Sequence, residues 1–169
     1  ADFEQSRSMG VYYGEGQPTR AYALTESPRS EFTPGPMITT NNPLDVAVHG
    51  DGFFAVQAPD GTEAYTRAGN FAVDATGMLR TANGLPVLGD GGPINIPENK
   101  KVNVGNDGII SVVGQDQGPE AMVEVGRLKL VNPAITAIEK GDDGMFRQRG
   151  GLNAPVAAEV QVRGGMLEG

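Results

Sequence analysis

Signals for chain reversal dominate residues 60–94, where Asp60-Gly61, Asn83-Gly84 and Asp90-Gly91 interrupt the chain at short intervals. Glycine adopts positive φ without a steric penalty and Asp or Asn tolerates it, so these pairs favour tight hairpins. The same pairs occur in calcium-binding loops and in sugar-binding sites. Residues 60–94 alone therefore do not distinguish tight turns from ligand-binding loops, and the rest of the chain must decide between them.

Short alternating segments lie between the reversal signals. In residues 44–49, Leu44, Val46 and Val48 alternate with Asp45, Ala47 and His49, as in a half-buried strand. Turn signals at roughly 8–12 residue intervals are typical of sandwiches and barrels. No segment has helical periodicity. We therefore predict an all-β fold, an irregular sandwich or barrel-like domain of many short antiparallel strands joined by tight glycine turns.

The alternation also predicts which side chains are buried and where one strand is irregular. In the segment 121–131, Val123 and Val125 have odd numbers whereas Leu128 and Leu130 have even numbers, so we expect a β-bulge at Gly126 or Arg127. Alternation through residues 155–163 predicts a last strand. The residues expected to be largely buried are Leu44, Val46, Phe54, Val56, Tyr65, Phe71, Val73, Leu79, Val160 and Val162.

Domain organisation follows from a change in composition near residue 36. Three prolines and no apolar periodicity in residues 27–36 indicate an extended arm over residues 1–36, followed by a β domain over residues 37–169. The arm carries Tyr12, Tyr13, Tyr22 and Phe32. Aromatic side chains there either pack against their own domain or form a docking surface, and they are our candidates for contacts between subunits.

Charge and composition exclude several partners. The net charge of −8 would repel the phosphate backbone, so nucleic acid is not expected as a partner. No apolar run approaches the roughly 20 residues of a membrane-spanning helix, and we expect no membrane insertion. The start of the chain lacks Met and the apolar region of a secretory signal peptide, so we expect a trimmed piece of something longer.

The residues of common catalytic and metal sites are scarce. The chain has no Cys and a single histidine, His49, without the motifs that support a catalytic triad. Calcium loops require Asp or Asn at alternating positions and a Glu six residues after the glycine, which the loops at Asp107 and Asp143 lack. We therefore predict metal-free turns and no catalytic, cofactor-binding or metal-binding residues.

Two other functions stay open at this stage. The 21 acidic residues provide many carboxylate pairs, and their separation depends on the fold, so a secreted carbohydrate-active enzyme on a β-sandwich is one alternative. A calcium-dependent binding or adhesion module is the other.

Two long stretches identify a family resemblance. Residues 41–56, NNPLDVAVHGDGFFAV, and residues 60–84, DGTEAYTRAGNFAVDATGMLRTANG, closely resemble the shared core of bacterial flagellar rod and hook proteins. The segments GLPVLGDGGPINIP, VGRLKLV, DDGMFR and the terminal GMLEG are similar to the proximal rod branch of that family. The resemblance covers roughly residues 33–169.

The resemblance implies a structural subunit of the basal-body rod, the drive shaft that crosses the periplasm and carries motor torque to the hook and filament. It implies export by the flagellar secretion apparatus, and partners among the other proximal and distal rod proteins through heterologous contacts. Members of the family have helical segments at both termini, and we expect this chain to lack them. We therefore expect the isolated chain to be a monomer, because only lateral contacts between acidic β domains would remain.

Overall fold

The computed structural model describes residues 35–168. Sixteen short strands make up almost all of its regular structure, with one-turn 3₁₀ helices at Pro119–Ala121, Ile135–Ala137 and Arg149–Gly151. The strands are β1 (Met37–Thr39), β2 (Val46–His49), β3 (Phe53–Gln57), β4 (Glu63–Thr66), β5 (Ala72–Val73), β6 (Leu79–Arg80), β7 (Leu88–Gly89), β8 (Gly92–Pro93), β9 (Lys100–Val104), β10 (Ile109–Gly114), β11 (Val123–Arg127), β12 (Leu130–Val131), β13 (Ile138–Lys140), β14 (Phe146–Gln148), β15 (Gln161–Gly164) and β16 (Met166–Glu168).

All strand pairs are antiparallel, which confirms the all-β prediction. One sheet has five strands in the order β12-β3-β4-β14-β13, and another has three in the order β11-β10-β9. Four two-stranded pairs, β1-β16, β2-β15, β5-β6 and β7-β8, complete the set. The short strands explain this division, because a strand of two to four residues can bond to few neighbours.

One turn geometry closes five of the hairpins and loops. In residues 105–109, the Gly108 amide donates to the Gly105 carbonyl at 2.9 Å and the Gly105 amide donates to the Ile109 carbonyl at 2.9 Å. Gly108 has φ of 88°, the left-handed conformation that closes a three-residue hairpin loop. The same bonds and a glycine with φ of 83° to 92° recur in residues 58–62, 74–78, 81–85 and 141–145.

Aspartate side chains complete four of these turns. The carboxylates of Asp60, Asp74, Asp107 and Asp143 each accept a bond from the backbone amide two residues ahead, at 3.0, 2.8, 3.1 and 3.1 Å. This is the local bonding for which Asp is favoured in turns. The carboxylates that suggested calcium ligands thus have a role in turn structure. That these turns bind no metal stays a prediction.

Burial follows the predicted pattern at most positions. Eight of the ten residues expected in the core are buried, whereas Leu44 and Val73 are half-buried. The strand over residues 44–49 was predicted to expose one face, and this is wrong, because Ala47 is as buried as Val46 and Val48. His49, at the end of β2, is exposed as expected for the polar face.

Two predicted strand details need correction. The bulge is present, but the extra residue is Val125 and not Gly126 or Arg127, since Ile110 pairs with Gly126 and the next residue, Ser111, pairs with Glu124. The strand predicted over residues 155–163 begins only at Gln161, as β15, and it is not the last strand because β16 follows it. Before it the chain turns, as the Val160 amide donates to the Ala157 carbonyl at 3.2 Å.

Backbone contact at Gly69 holds β2 against the segment that follows β4. The Val46 amide donates to the Gly69 carbonyl at 2.9 Å, and a Cβ built on Gly69 would lie 1.7 Å from the Val46 carbonyl oxygen. Because that atom belongs to the backbone, a side chain at position 69 has no room unless β2 moves.

We predict that Gly69→Ala lowers the free energy of unfolding by about 2–3 kcal/mol, since the added methyl group overpacks a closed backbone contact. Urea unfolding followed by circular dichroism measures it. Gly91→Ala is the matched control, because nothing lies within 4 Å of its Cβ position. Equal stability of the two variants would contradict the steric argument.

Candidate functional site

The first and last described strands lie side by side. β1 and β16 pair antiparallel, with Met37 opposite Glu168 and Thr39 opposite Met166. The amides of Thr40 and Asn41 both donate to the Gly165 carbonyl, at 2.8 and 3.1 Å. The chain therefore enters and leaves the described body at one place, and we call the β1-β16 pair the stem.

Arg67 attaches the stem to the body. Its guanidinium donates to both carboxylate oxygens of Glu168, from Nε at 3.0 Å and from Nη2 at 2.9 Å. Its Nη1 donates to the carbonyls of Gly50 and Gly52, at 2.8 and 2.9 Å. A bidentate arginine–carboxylate pair fixes orientation as well as distance. One side chain thus joins β16, the β2-β3 turn and the segment after β4.

The pair lies partly inside the protein, which strengthens it. The side chains of Arg67 and Glu168 are 19% and 16% exposed, and the Gly35 amide adds a bond of 2.7 Å to Glu168 Oε2. Burial raises the pKa of Glu168, but the Arg67 and Gly35 hydrogen bonds outweigh it and hold that pKa below its ordinary value of 4.5. Glu168 therefore stays charged wherever the chain encounters neutral pH.

A second polar network, centred on Tyr65, fixes the segment that contains Ala154. The buried Tyr65 hydroxyl donates to Glu63 Oε2 at 2.7 Å and accepts the Ala154 amide at 2.6 Å. Lys129 Nζ donates to the same Glu63 oxygen at 2.7 Å. Burial raises the pKa of Tyr65 far above its usual value, and Glu63 acts in the same direction. The hydroxyl is therefore always present as a donor.

The sequence-predicted contact residues Tyr12, Tyr13, Tyr22 and Phe32 lie outside the described residues, so their role stays a prediction. The structure instead identifies Arg67 and Glu168, which sequence reasoning missed. They are 101 positions apart, and nothing in a single sequence links an arginine to a particular distant carboxylate. Among residues 35–168, no group of three or more metal-ligating side chains is placed to hold a metal ion. Nor does that part of the chain contain a helix long and apolar enough to cross a membrane.

Comparison with known proteins identifies the domain. The model of the flagellar hook protein FlgE/F/G D1 domain matches residues 47–112, from within β2 to within β10. Basal-body rod protein FlgF of Salmonella typhimurium is 40% identical over 158 residues, which cover 89% of this chain and 62% of that protein. Residues 47–112 are therefore assigned to the D1 domain of the FlgE/F/G proteins, and the chain as a whole is similar to the basal-body rod protein FlgF. The predicted resemblance is thereby confirmed.

Other rod-family relatives support the same assignment. Escherichia coli FlgF is 41% identical over 162 residues, covering 92% of this chain and 64% of its own length. Bacillus subtilis FlgG is 35% identical over 128 residues, covering 75% of this chain and 47% of its own. The chain thus spans less than two thirds of the length of these rod proteins. Arg67 lies inside the matched D1 segment, whereas Glu168 lies beyond its end.

We predict that Glu168→Gln lowers the free energy of unfolding by about 1–2 kcal/mol at neutral pH, because it leaves Arg67 facing a neutral partner. A carboxylate whose folded-state pKa is depressed stabilises above its unfolded pKa, and this stabilisation is lost as pH falls through the folded value. The difference between wild type and variant should therefore be full above pH 4.5 and shrink below it. Urea unfolding across this range measures the difference.

The control for this experiment is Glu139→Gln, which neutralises an exposed carboxylate on β13 and should change stability by less than about 0.5 kcal/mol. An NMR titration that places the Glu168 pKa at or above 4.5 would contradict the assignment.

Replacing Tyr65 by Phe should cost about 1–3 kcal/mol, because the Ala154 amide then loses its acceptor in a buried position. Hydrogen exchange at Ala154 should accelerate by a larger factor than exchange in β9 or β10. Thr62→Val, which removes an exposed hydroxyl bonded to Asp60, is the control and should have little effect. An unchanged Ala154 exchange rate would show that the hydroxyl does not hold this segment.

Proposed function

We propose that this chain supplies the β domain of a structural subunit of the flagellar basal-body rod, and that it acts where the rod crosses the periplasm. The proposal rests on the stem and on the hydrogen bonds by which Arg67 holds it to Gly50 and Gly52, which we call the clamp. The chain that carries this feature is 40% identical to a basal-body rod protein over 89% of its length. A subunit of a drive shaft must pass torque between its chain ends and its body. The stem is where those two parts meet.

The clamp is suited to this task for a physical reason. Torque applied to the two-stranded stem would shear its few backbone bonds, and an isolated strand pair of three residues a side is weak by itself. Four hydrogen bonds from Arg67 distribute the force to the β2-β3 turn and to β16. Stiffness in this proposal comes from the side-chain clamp and from the five tight turns.

The proposed partners are other rod subunits, held by heterologous contacts that repeat along a helix without closing. The rod family is structural, and we propose that this chain has no catalytic activity. No comparison favours the carbohydrate-active enzyme or the calcium-dependent module. The isolated chain as a monomer stays a prediction.

The test is a chimaera in which this chain replaces the aligned part of Salmonella typhimurium FlgF, expressed in cells that lack FlgF. We expect swimming to be restored. Arg67→Gln in the chimaera should reduce the number of basal bodies several-fold, because a loss of about 1–2 kcal/mol at the clamp raises the population of detached stems. Counts of purified basal bodies and swimming speed are the measurements.

Arg80→Gln provides the matched control, since it removes an arginine–carboxylate pair with more exposed side chains, 35% and 26%, away from the stem. A chimaera that is expressed and folded but gives no basal bodies would refute the proposed function. Equal effects of the two substitutions would refute the role of the clamp and would leave the proposed function standing.

A further inference from the structure

The three-stranded sheet exposes an acidic, apolar surface where β11 begins. Met122 and Val123 are 39% and 60% exposed, although both side chains are large and apolar. The exposed carboxylates of Glu120 and Glu124 flank them. We call these four residues the acidic edge.

The opposite edge of the same sheet has the complementary character. β9 begins with the exposed Lys100 and Lys101. Beside them is a groove of about 340 Å³ whose apolar walls are Pro43, Val102 and Val104. We call the two lysines and this groove the basic edge.

The two edges face away from each other. β10 lies between β9 and β11, so the edges are separated by two strand spacings, about 10 Å. Both lie at the same end of the sheet, since Val112 pairs with Val102 on one side and with Val123 on the other. Among residues 35–168, none of the four charged side chains forms an ion pair. Their charges are therefore available to a partner.

We propose that the acidic edge of one copy of this chain docks on the basic edge of a second copy. Met122 and Val123 would enter the groove, and Glu120 and Glu124 would pair with Lys100 and Lys101. The proposal rests on the proposed function, for which it names a contact surface and a partner. Because two different surfaces of the chain meet, the contact is heterologous and repeats without closing.

A second copy fits better than an unrelated partner because both halves of the contact lie on one molecule. The net charge of −8 makes two copies repel each other overall, so association requires local pairing of opposite charges. The contact is small and its charges are exposed, so it is weak between free chains. Rod subunits held in register by other contacts would form it at high effective concentration.

The test uses single cysteines, since the chain has none of its own. Met122→Cys chains are mixed with Asn103→Cys chains, Asn103 being another residue of the groove. Disulfide-linked heterodimers are then counted by mass over time in a redox buffer. The control mixes Met122→Cys with Ala82→Cys, an exposed position in the 81–85 turn. We expect the groove pair to cross-link about tenfold faster than the control pair, as two charge pairs and an apolar contact imply.

Charge reversal distinguishes cross-linking through this contact from cross-linking by random collision. Lys100→Glu with Lys101→Glu in the groove partner should abolish the excess rate, and Glu120→Lys with Glu124→Lys in the other partner should restore it. Val123→Ser, a neutral change at an exposed site, should also lower the rate. A groove pair that links no faster than the control, or a rate indifferent to charge reversal, would overturn the proposal.

The chimaera distinguishes this proposal from the proposed function. Restored swimming without cross-linking between copies would leave the rod function standing and refute the second copy as occupant. If the lysine reversal then impaired swimming, the groove would belong to a different rod protein. Cross-linking without restored swimming would support the contact and refute the rod function.

Discussion

The left-handed glycine turn is the constraint on which this domain depends. Its strands contain two to six residues, so hydrophobic burial is possible only if the chain reverses quickly and in a fixed geometry. Five turns do so with the same pair of backbone hydrogen bonds and the same positive φ at glycine. A residue with a Cβ is strained in that conformation, so glycine occupies it in all five turns, and Asp precedes that glycine in three of them.

Short strands leave the sheets small, and side chains must then hold them together. Two groups do this at long sequence separation: Arg67 with Glu168 joins the stem to the body, and Tyr65 with Glu63 and Lys129 holds the segment that contains Ala154. Both groups are partly buried, so their geometry is more restricted than that of an exposed ion pair. The domain gains stiffness where its backbone bonding is weakest.

This arrangement supports the proposed function, in which the chain acts through its shape. Under that proposal, torque transmission requires a stem that does not hinge and surfaces that repeat along a shaft. The hydrogen bonds of Arg67 to Glu168, Gly50 and Gly52 restrain the stem. The two edges of the β9-β11 sheet, one basic with a groove and one acidic with exposed apolar side chains, are the proposed repeating surfaces.

The sequence by itself determined the fold class, the turns and most of the core, because these depend on neighbouring residues: Asp107-Gly108 makes its own hairpin, and alternation places Phe54 and Val56 inside. The sequence also indicated the family resemblance, through long stretches such as residues 41–56. Only the tertiary structure decided that Ala47 is buried, that Val125 is the bulge residue, and that Glu168 meets Arg67. Each of these depends on which segment packs alongside: β15 lies beside Ala47, β10 sets the register of β11, and Arg67 is 101 positions from Glu168. Such contacts leave no mark on either segment alone.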